Sequence, residues 1–392
     1  MPHNKHYEII IAGAGAAGLS LADALLSQPE LREKRILLAD RRLRPVYDKT
    51  WCFWADHQIP YKSLHFHTWQ TLEIRALGEV FSETLKNHQY CCLKSDDFAK
   101  NIFDRVSDCV NVTQLETPID KFSCKNGVGV MHTPRGTFTA ERIFQSVYNP
   151  PGYDRLKVDI ALKQHFKGWI VRTKEDVFNP DKATFMDFEV PQKNGVTFVY
   201  VLPFSRNKAL VEYTLFSEKL LENHDYDEGL ERYMFDRYGL KPSQYGIEHT
   251  EAGIIPMEDR RFPATYCERV WNIGTVGGRT KPSTGYTLTR IFRHSNDIAT
   301  ALAIGREPPG IPASSYRFRV YDIMLMYQLK FHPERSISIF HELFRRNRFD
   351  AILQFLEEET HFGEELKIFA SVPYLPFFES IWKMKHRIFT GA

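Results

Sequence analysis

Tyr7-Glu8-Ile9-Ile10-Ile11-Ala12-Gly13-Ala14-Gly15-Ala16-Ala17-Gly18 is the stretch on which the reading turns. The run from Ile9 is apolar and β-branched, as in a buried parallel strand. Gly13, Gly15 and Gly18 form a GxGxxG pattern, and Leu19, Leu21, Ala22, Leu25 and Leu26 follow at helical spacing. A second strand, Arg35 to Ala39, ends on Asp40, roughly twenty residues past the last glycine. Strand, glycine turn, helix, strand and acid together predict a dinucleotide site. Gly13 makes the tight turn, Gly15 lets the backbone approach a pyrophosphate, and Gly18 permits close helix–strand packing. Ala16 stands where the helix begins, and the free N–H groups and dipole there favour an anion. Asp40 can accept hydrogen bonds from ribose hydroxyls and disfavours a 2′-phosphate, so FAD or NAD fits better than NADP.

The far end of the chain bears on that choice. Ile273 to Tyr286 carries Gly274, Gly277, Gly278 and Gly285, follows a short strand read at Trp271 to Gly274, and leads into a helix over Thr287 to Ala303. It suits a second helix N-terminus approaching a flavin, which favours FAD. Between the two glycine segments the pattern is β-rich, with runs at Val196 to Leu202 and Ala209 to Thr214. The expected fold is α/β (α+β): a Rossmann-like FAD-binding fold of the flavin hydroxylase type, with an inserted antiparallel β substrate domain and a helical C-terminal tail. The FAD-binding domain is expected over 1–48, 86–150 and 265–305, the substrate domain over 49–85 and 151–264, and the tail over 306–392. Gly305 to Pro312 reads as a hinge.

Composition narrows the function. The 392 residues carry 51 basic and 49 acidic side chains, for a net charge of +2, without the basic excess typical of nucleic-acid binders. Aromatics make up 14% of the chain, enough to line a pocket for a large apolar ligand as well as to fill a core. Six scattered cysteines without CxxC argue against a disulfide framework and fit a reducing cytosol. No signal peptide and no membrane-spanning segment is expected. His65 and His67 share a strand face but have no third ligand at useful spacing, so no metal site is expected.

Eight motifs run in order along the chain: GAGAAG (13–18), DKTWCFW (48–54), QHFKGW (164–169), FMDF (185–188), FVYVLPFS (198–205), LVEYT (210–214), EAGIIPM (251–257) and GTVGGRTKPSTGYT (274–287). Together they resemble the flavin-dependent lycopene cyclases of bacteria and plants. The resemblance implies conversion of linear lycopene ends to β-ionone rings on reduced FAD, without net redox change and with NAD(P)H as the electron source. It implies Glu212 of LVEYT as the essential acid, with Glu251 and Asp187 as further catalytic carboxyls. Tyr213 departs from the plant FLEET form, and Lys281 stands where the family commonly has His. A second FLEET-like run, Phe355 to Thr360, lies in the helical tail and reads as a solvated helix face.

The residues make chemical sense of that activity. Cyclisation needs a proton delivered to an alkene, and an exposed Glu with a pKa of about 4.3 is ionised at neutral pH. A Glu among apolar neighbours such as Leu210 and Val211 can stay protonated. Alternation puts Leu210 and Thr214 on its face and Val211 and Tyr213 opposite. Trp51, Trp54, Trp169, Tyr200 and Phe204 can offer π faces to a cation and are the expected substrate contacts. Expected partners are lycopene and related linear carotenoids, other carotenoid enzymes, and the inner face of the cytoplasmic membrane. There Arg345, Arg346 and Arg348 would meet anionic lipid while Ile368 to Phe378 enters the headgroup boundary. Two alternatives stand beside this reading: a prenyl reductase or monooxygenase of the same fold, and a non-catalytic carotenoid-binding flavoprotein. Gly274-Thr275, where hydroxylases usually carry Gly-Asp, disfavours the monooxygenase.

Overall fold

The computed structural model describes residues 5–47, 49–56, 60–310 and 314–389. Asp48, at the start of the DKTWCFW motif, and Ile311 and Pro312 of the hinge lie outside them, as do the first four and last three residues. Along the chain come β1 (His6–Ala12), α1 (Ala16–Leu26), β2 (Ile36–Asp40), β3 (Thr50–Ala55), β4 (His67–Trp69), β5 (Thr71–Ala76), β6 (Glu79–Thr84), β7 (Gln89–Lys94) and α2 (Ser95–Ser107). Then follow β8 (Val112–Glu116), β9 (Lys121–Lys125), β10 (Val128–Thr133), β11 (Gly136–Gln145), β12 (Ala161–Thr173), β13 (Lys182–Asp187), β14 (Val196–Ser205), β15 (Lys208–Ser217), α3 (Asn223–Tyr238) and β16 (Tyr245–Glu258). The last part holds β17 (Thr265–Cys267), β18 (Val270–Asn272), α4 (Leu288–Ala303), α5 (Tyr316–Phe331), α6 (Pro333–Arg346), α7 (Phe349–Leu356), α8 (Phe362–Ser371), α9 (Tyr374–Lys383) and α10 (Lys385–Phe389).

Three sheets result. The first runs β17-β18-β11-β1-β2-β8, with the β9–β10 hairpin attached through β10 to β11. β1 pairs in parallel with both β2 and β11, and its isoleucines are buried on both faces, as the apolar run requires. α1, α2 and α4 cover it, sharing an apolar core that joins Leu19, Leu25, Phe98, Ile102 and Ile298. The second sheet runs β16-β12-β15-β14-β13-β5-β6 and is antiparallel apart from the β13–β5 pair. The third is small, β3-β7-β4. The tail helices share one apolar core with the second sheet, in which Phe198, Phe216, Phe344, Ile352 and Met384 all lie.

Several local expectations are corrected. The last strand of the first sheet is Val270–Asn272, and Gly274–Gly277 is a short 3-10 turn well before α4 begins at Leu288. Cys124 and Cys267 form a disulfide, against the expectation of none. They are 143 residues apart, and only the sheet brings β9 and β17 within 6.3 Å, Cα to Cα. The three tail arginines are engaged: Arg345 and Arg346 pair with Glu342, and Arg348 pairs with Glu83. All three side chains remain about half exposed. Of the expected Ile368 to Phe378 stretch, Ile368 is buried while Tyr374, Leu375 and Phe378 face outward, as does Trp382 further along α9.

The FLEET-like run is not a solvated helix face. α7 ends at Leu356, and Glu358 adopts a left-handed backbone (φ 66°) that turns its side chain inward. There it takes Lys281 Nζ at 2.9 Å, Arg290 Nη1 at 2.9 Å and Ser314 Oγ at 2.7 Å. Burial pushes the Glu358 carboxyl up, but Lys281 and Arg290 outweigh it and hold the group below its ordinary value. Removing one member of such a network leaves buried charge unmatched. Glu358→Gln is therefore expected to destabilise the protein by about 3 kcal/mol, read from its urea unfolding midpoint. The loss should shrink as pH falls through the lowered Glu358 pKa, where the wild-type carboxyl protonates too. An unchanged midpoint at neutral pH would return Glu358 to a surface role.

Candidate active site

Each acid's position follows from strand register. Glu212 of β15 and Glu251 of β16 both lie directly opposite Gly168 of β12. Directly opposite residues of antiparallel strands share a face. The row Glu251-Gly168-Glu212-Tyr200 therefore crosses four strands on one side of the sheet. Glu251 and Glu212 are two strands apart, roughly 9–10 Å at the backbone, a span their side chains can close. Gly168 keeps the space between them open. A Cβ there would meet Leu210 Cδ1 at 2.9 Å and Glu212 Cβ and Cγ at 3.4 Å.

The two carboxyls differ in their surroundings. Glu251 is only 3% exposed, and its Oε2 accepts the Thr50 backbone N–H at 2.8 Å. Glu212 faces a cavity with Tyr200, Leu202, Leu210 and Trp51 around it, and accepts Thr214 Oγ1 at 3.1 Å. Burial first, and then the neighbouring Glu251 carboxyl, push Glu212 well above the ordinary carboxylate value; Thr214 and Lys49 oppose this less strongly. A side chain so placed can hold a proton at neutral pH.

The cavity encloses about 1260 Å³ of empty space, its open mouth included, and it connects the acid to the glycine turn. Ala16, at the start of α1, lines one end and Glu212 another, with Thr275, Thr280 and Gly285 between. The residues at that end fit a dinucleotide. Gly13 has φ +111°, and a Cβ there would lie 2.3 Å from Ser146 Oγ. A Cβ on Gly18 would lie 1.8 Å from the Gly13 carbonyl, whereas one on Gly15 would meet nothing within 4 Å. Gly18 therefore serves packing, and Gly15 faces open space where a phosphate can approach the backbone. Asp40 closes β2 and braces the turn, accepting the Ala14 N–H at 2.6 Å. Gly274 brings the second glycine segment against Ala17, with its Cβ position 2.7 Å from that side chain. Gln164 Oε1, beside Gly285, is buried without a hydrogen-bond partner among the described residues. A polar ligand in the cavity would satisfy it.

Other expected residues lie elsewhere. Asp187 pairs with Val199, on the opposite face of the sheet from Tyr200. It is 1% exposed, 3.2 Å from Arg75 Nε and 2.8 Å from Tyr233 Oη, in a structural charge cluster. Trp169 is one residue past Gly168, so it too points to the far face, into the core with Val211 and Tyr233. Phe204 packs against Phe66 and Trp69 and does not line the cavity. Trp54 is buried behind the wall, 4.2 Å from the Tyr286 ring. Gly277 and Gly278 shape the 3-10 turn, with Cβ positions against Asn272 and Phe262. His65 and His67 bond to backbone carbonyls of Pro60 and Pro180. Lys281 stands apart from the carboxyl pair, held by Asp322 and Glu358 at 2.9 Å each.

Reading by residue type missed Gly168, Gln164, Tyr90 and Tyr286. Tyr90 Oη is 3.0 Å from Tyr286 Oη, and both line the cavity. A glycine in the middle of a long strand was the available signal for Gly168, since it marks a close approach.

The family model described as "Lycopene cyclase protein" matches residues 8–381. The lycopene beta cyclase of Arabidopsis thaliana is 30% identical over 322 residues, 75% of this chain and 60% of that protein's length. Among solved structures, a geranylgeranyl bacteriochlorophyll reductase-like protein from Thermoplasma acidophilum superposes with a TM-score of 0.58 at 12% identity, covering 98% of this chain and 99% of that one. Aklavinone-11 hydroxylase, solved in a ternary complex with FAD and aklavinone, gives a TM-score of 0.54 at 13% identity, over 76% of this chain and 62% of that one. These likenesses establish the fold of FAD-dependent oxidoreductases and hydroxylases. With a family match running through both glycine segments and both carboxyl-bearing strands, the chain belongs to the lycopene cyclase protein family.

Proposed function

We propose that the protein closes the linear ends of lycopene to β-ionone rings, giving γ-carotene and β-carotene, with FAD held in its reduced form by electrons from NAD(P)H. The observation that carries this reading is the carboxyl pair across Gly168, of which Glu212 lines an aromatic cavity that reaches the α1 N-terminus. Protonated Glu212 gives its proton to the terminal alkene of the ψ-end. An internal double bond attacks the resulting cation, and loss of a ring proton restores neutrality. One proton is gained and one lost, so nothing is oxidised or reduced. Trp51, Tyr200 and Tyr286 face the cavity and offer π density to the cation. Glu251, which accepts the Thr50 N–H, keeps negative charge beside it. Reduced FAD, when bound, would supply negative charge to stabilise the cation. Gly13, Gly15, Gly18, Asp40 and the Gly274 turn are the residues that would hold it.

Lycopene belongs in a bilayer, and among the described residues no helix is long and apolar enough to cross a membrane. In this reading the protein works from the inner membrane surface, where the outward Tyr374, Leu375, Phe378 and Trp382 of α9 enter the headgroup boundary. Lys385, 4.3 Å from the Trp382 ring, adds positive charge there.

Three outcomes are expected. Glu212→Gln keeps fold and flavin content but loses about 10²–10⁴-fold in turnover, measured as pigment formed from lycopene. Unchanged turnover would remove Glu212 from the chemistry. The rate should fall as pH rises through the raised Glu212 pKa, because the acid must be protonated to act. In Glu251→Gln that alkaline limb should move to lower pH, since the charge that raises it is gone; a limb that stays in place would deny the coupling. Gly15→Val should fold, because its Cβ meets no protein atom, and should fail to retain flavin. Stoichiometric flavin in that variant would misplace the cofactor. Consumption of NAD(P)H in step with substrate would favour a prenyl reductase instead.

A further inference from the structure

A second cavity lies beside the first. It lies between the second sheet and the tail helices. Its walls come from β13, α5, α6, α7 and α8, with Phe185, Leu325, Leu343 and Phe355 among the lining side chains. Its two charged members, Lys281 and Asp322, are paired with each other at 2.9 Å, so the rest of the wall is free to face an apolar ligand. Tyr200, Thr284 and Tyr286 line both this cavity and the one that holds Glu212. The lining also includes Phe369, Val372 and Phe377, at the α8–α9 junction. The outer side of that junction exposes Tyr374, Leu375 and Phe378. An apolar cavity of the helical region thus shares a wall with the cavity that holds Glu212, and its lining includes residues of the junction whose outer side carries exposed aromatics.

We propose that this helical chamber holds the body of a long linear polyene while its end is presented to Glu212 and Glu251. The chain passes in at the α8–α9 junction and past Tyr200 and Tyr286. This rests on the cyclase reading for the identity of the reacting end, but the chamber itself is a binding site that can be tested without turnover. A site holding only one end would need no second apolar cavity, and the first cavity is shared with the dinucleotide end. Leu325 and Leu343 are partly exposed wall residues of the chamber and lie outside the Glu212 cavity. A larger side chain at either position fills the chamber from the tail side.

The test uses full-length, flavin-loaded protein with lycopene in mixed micelles, and reads the absorption shift of the bound polyene. Leu343→Trp and Leu325→Trp should each weaken binding about tenfold, the scale expected of overfilling an apolar site. The ratio of turnover on a shorter acyclic apocarotenoid with one ψ-end to turnover on lycopene should rise by a similar factor. In wild-type protein, which depends on no variant folding, lycopene should slow hydrogen exchange in α6 and α8. Wild-type protein that binds lycopene in this way but forms no ring would sink the cyclase reading and uphold the chamber. Unaltered affinity in both flavin-loaded variants, or lycopene that protects no amide in α6 and α8, would overturn the chamber while leaving the carboxyl chemistry intact.

Discussion

Two carboxyl groups lie on one face of a sheet with a residue that has no side chain between them. The proposed chemistry depends on the register that sets Glu212 and Glu251 opposite Gly168. A slip of one residue would turn Glu212 to the far face, into the core of Val211, Tyr213 and Tyr233, and leave a buried charge with nothing to do. The flanking strands are long, 13 residues in β12 and 14 in β16, so many backbone pairs and alternating side chains resist that slip. Burial of the pair is costly, and the cost is what gives it a use. Two neighbouring carboxyls in apolar surroundings cannot both ionise, so one of them keeps a proton at a pH where water would take it.

The rest of the fold brings the glycine segments proposed to hold FAD, and the proposed chamber, up to that pair. The first sheet supplies the α1 N-terminus, and Gly274 brings the late turn against Ala17, so both glycine segments border one cavity. The helical tail is part of the same core as the second sheet and closes the other side. Its last helix is tied back by Arg387, which meets Asp259 at 2.6 Å, both fully enclosed, just past the end of β16. Lys281, Arg290 and Glu358 pin the turn after α7 to the late glycine segment. The tail is thus anchored at two buried ionic points, which keeps the chamber wall in place relative to the acid.

How much of this was legible in the sequence depends on how local the signal was. The dinucleotide turn was readable because strand, glycines, helix and acid are consecutive, and each glycine's task shows in what its Cβ would strike. The face of Glu212 followed from alternation, with Leu210 in the cavity and Val211 and Tyr213 behind it. What alternation could not say was which face looks inward, or that Glu251 would arrive opposite the same glycine. That information lies in the pairing of strands, not in any one of them. Trp169, chosen as an aromatic, and Asp187, taken from the motif resemblance, both lie on the other face of the sheet from Glu212 by parity. Glu358 was misread because helical spacing was carried two residues past the end of α7, across a left-handed turn. The Cys124–Cys267 bridge was invisible for a similar reason: only the sheet makes those residues neighbours.

The central claim is that Glu212 is the carboxyl that holds a proton at neutral pH. Infrared spectroscopy of carboxyl-labelled, flavin-loaded protein tests it directly. A protonated carboxyl stretch should be present in the wild type at neutral pH, disappear in Glu212→Gln, and survive in Glu358→Gln. A wild-type spectrum without that band, or a band unchanged by Glu212→Gln, would contradict the account.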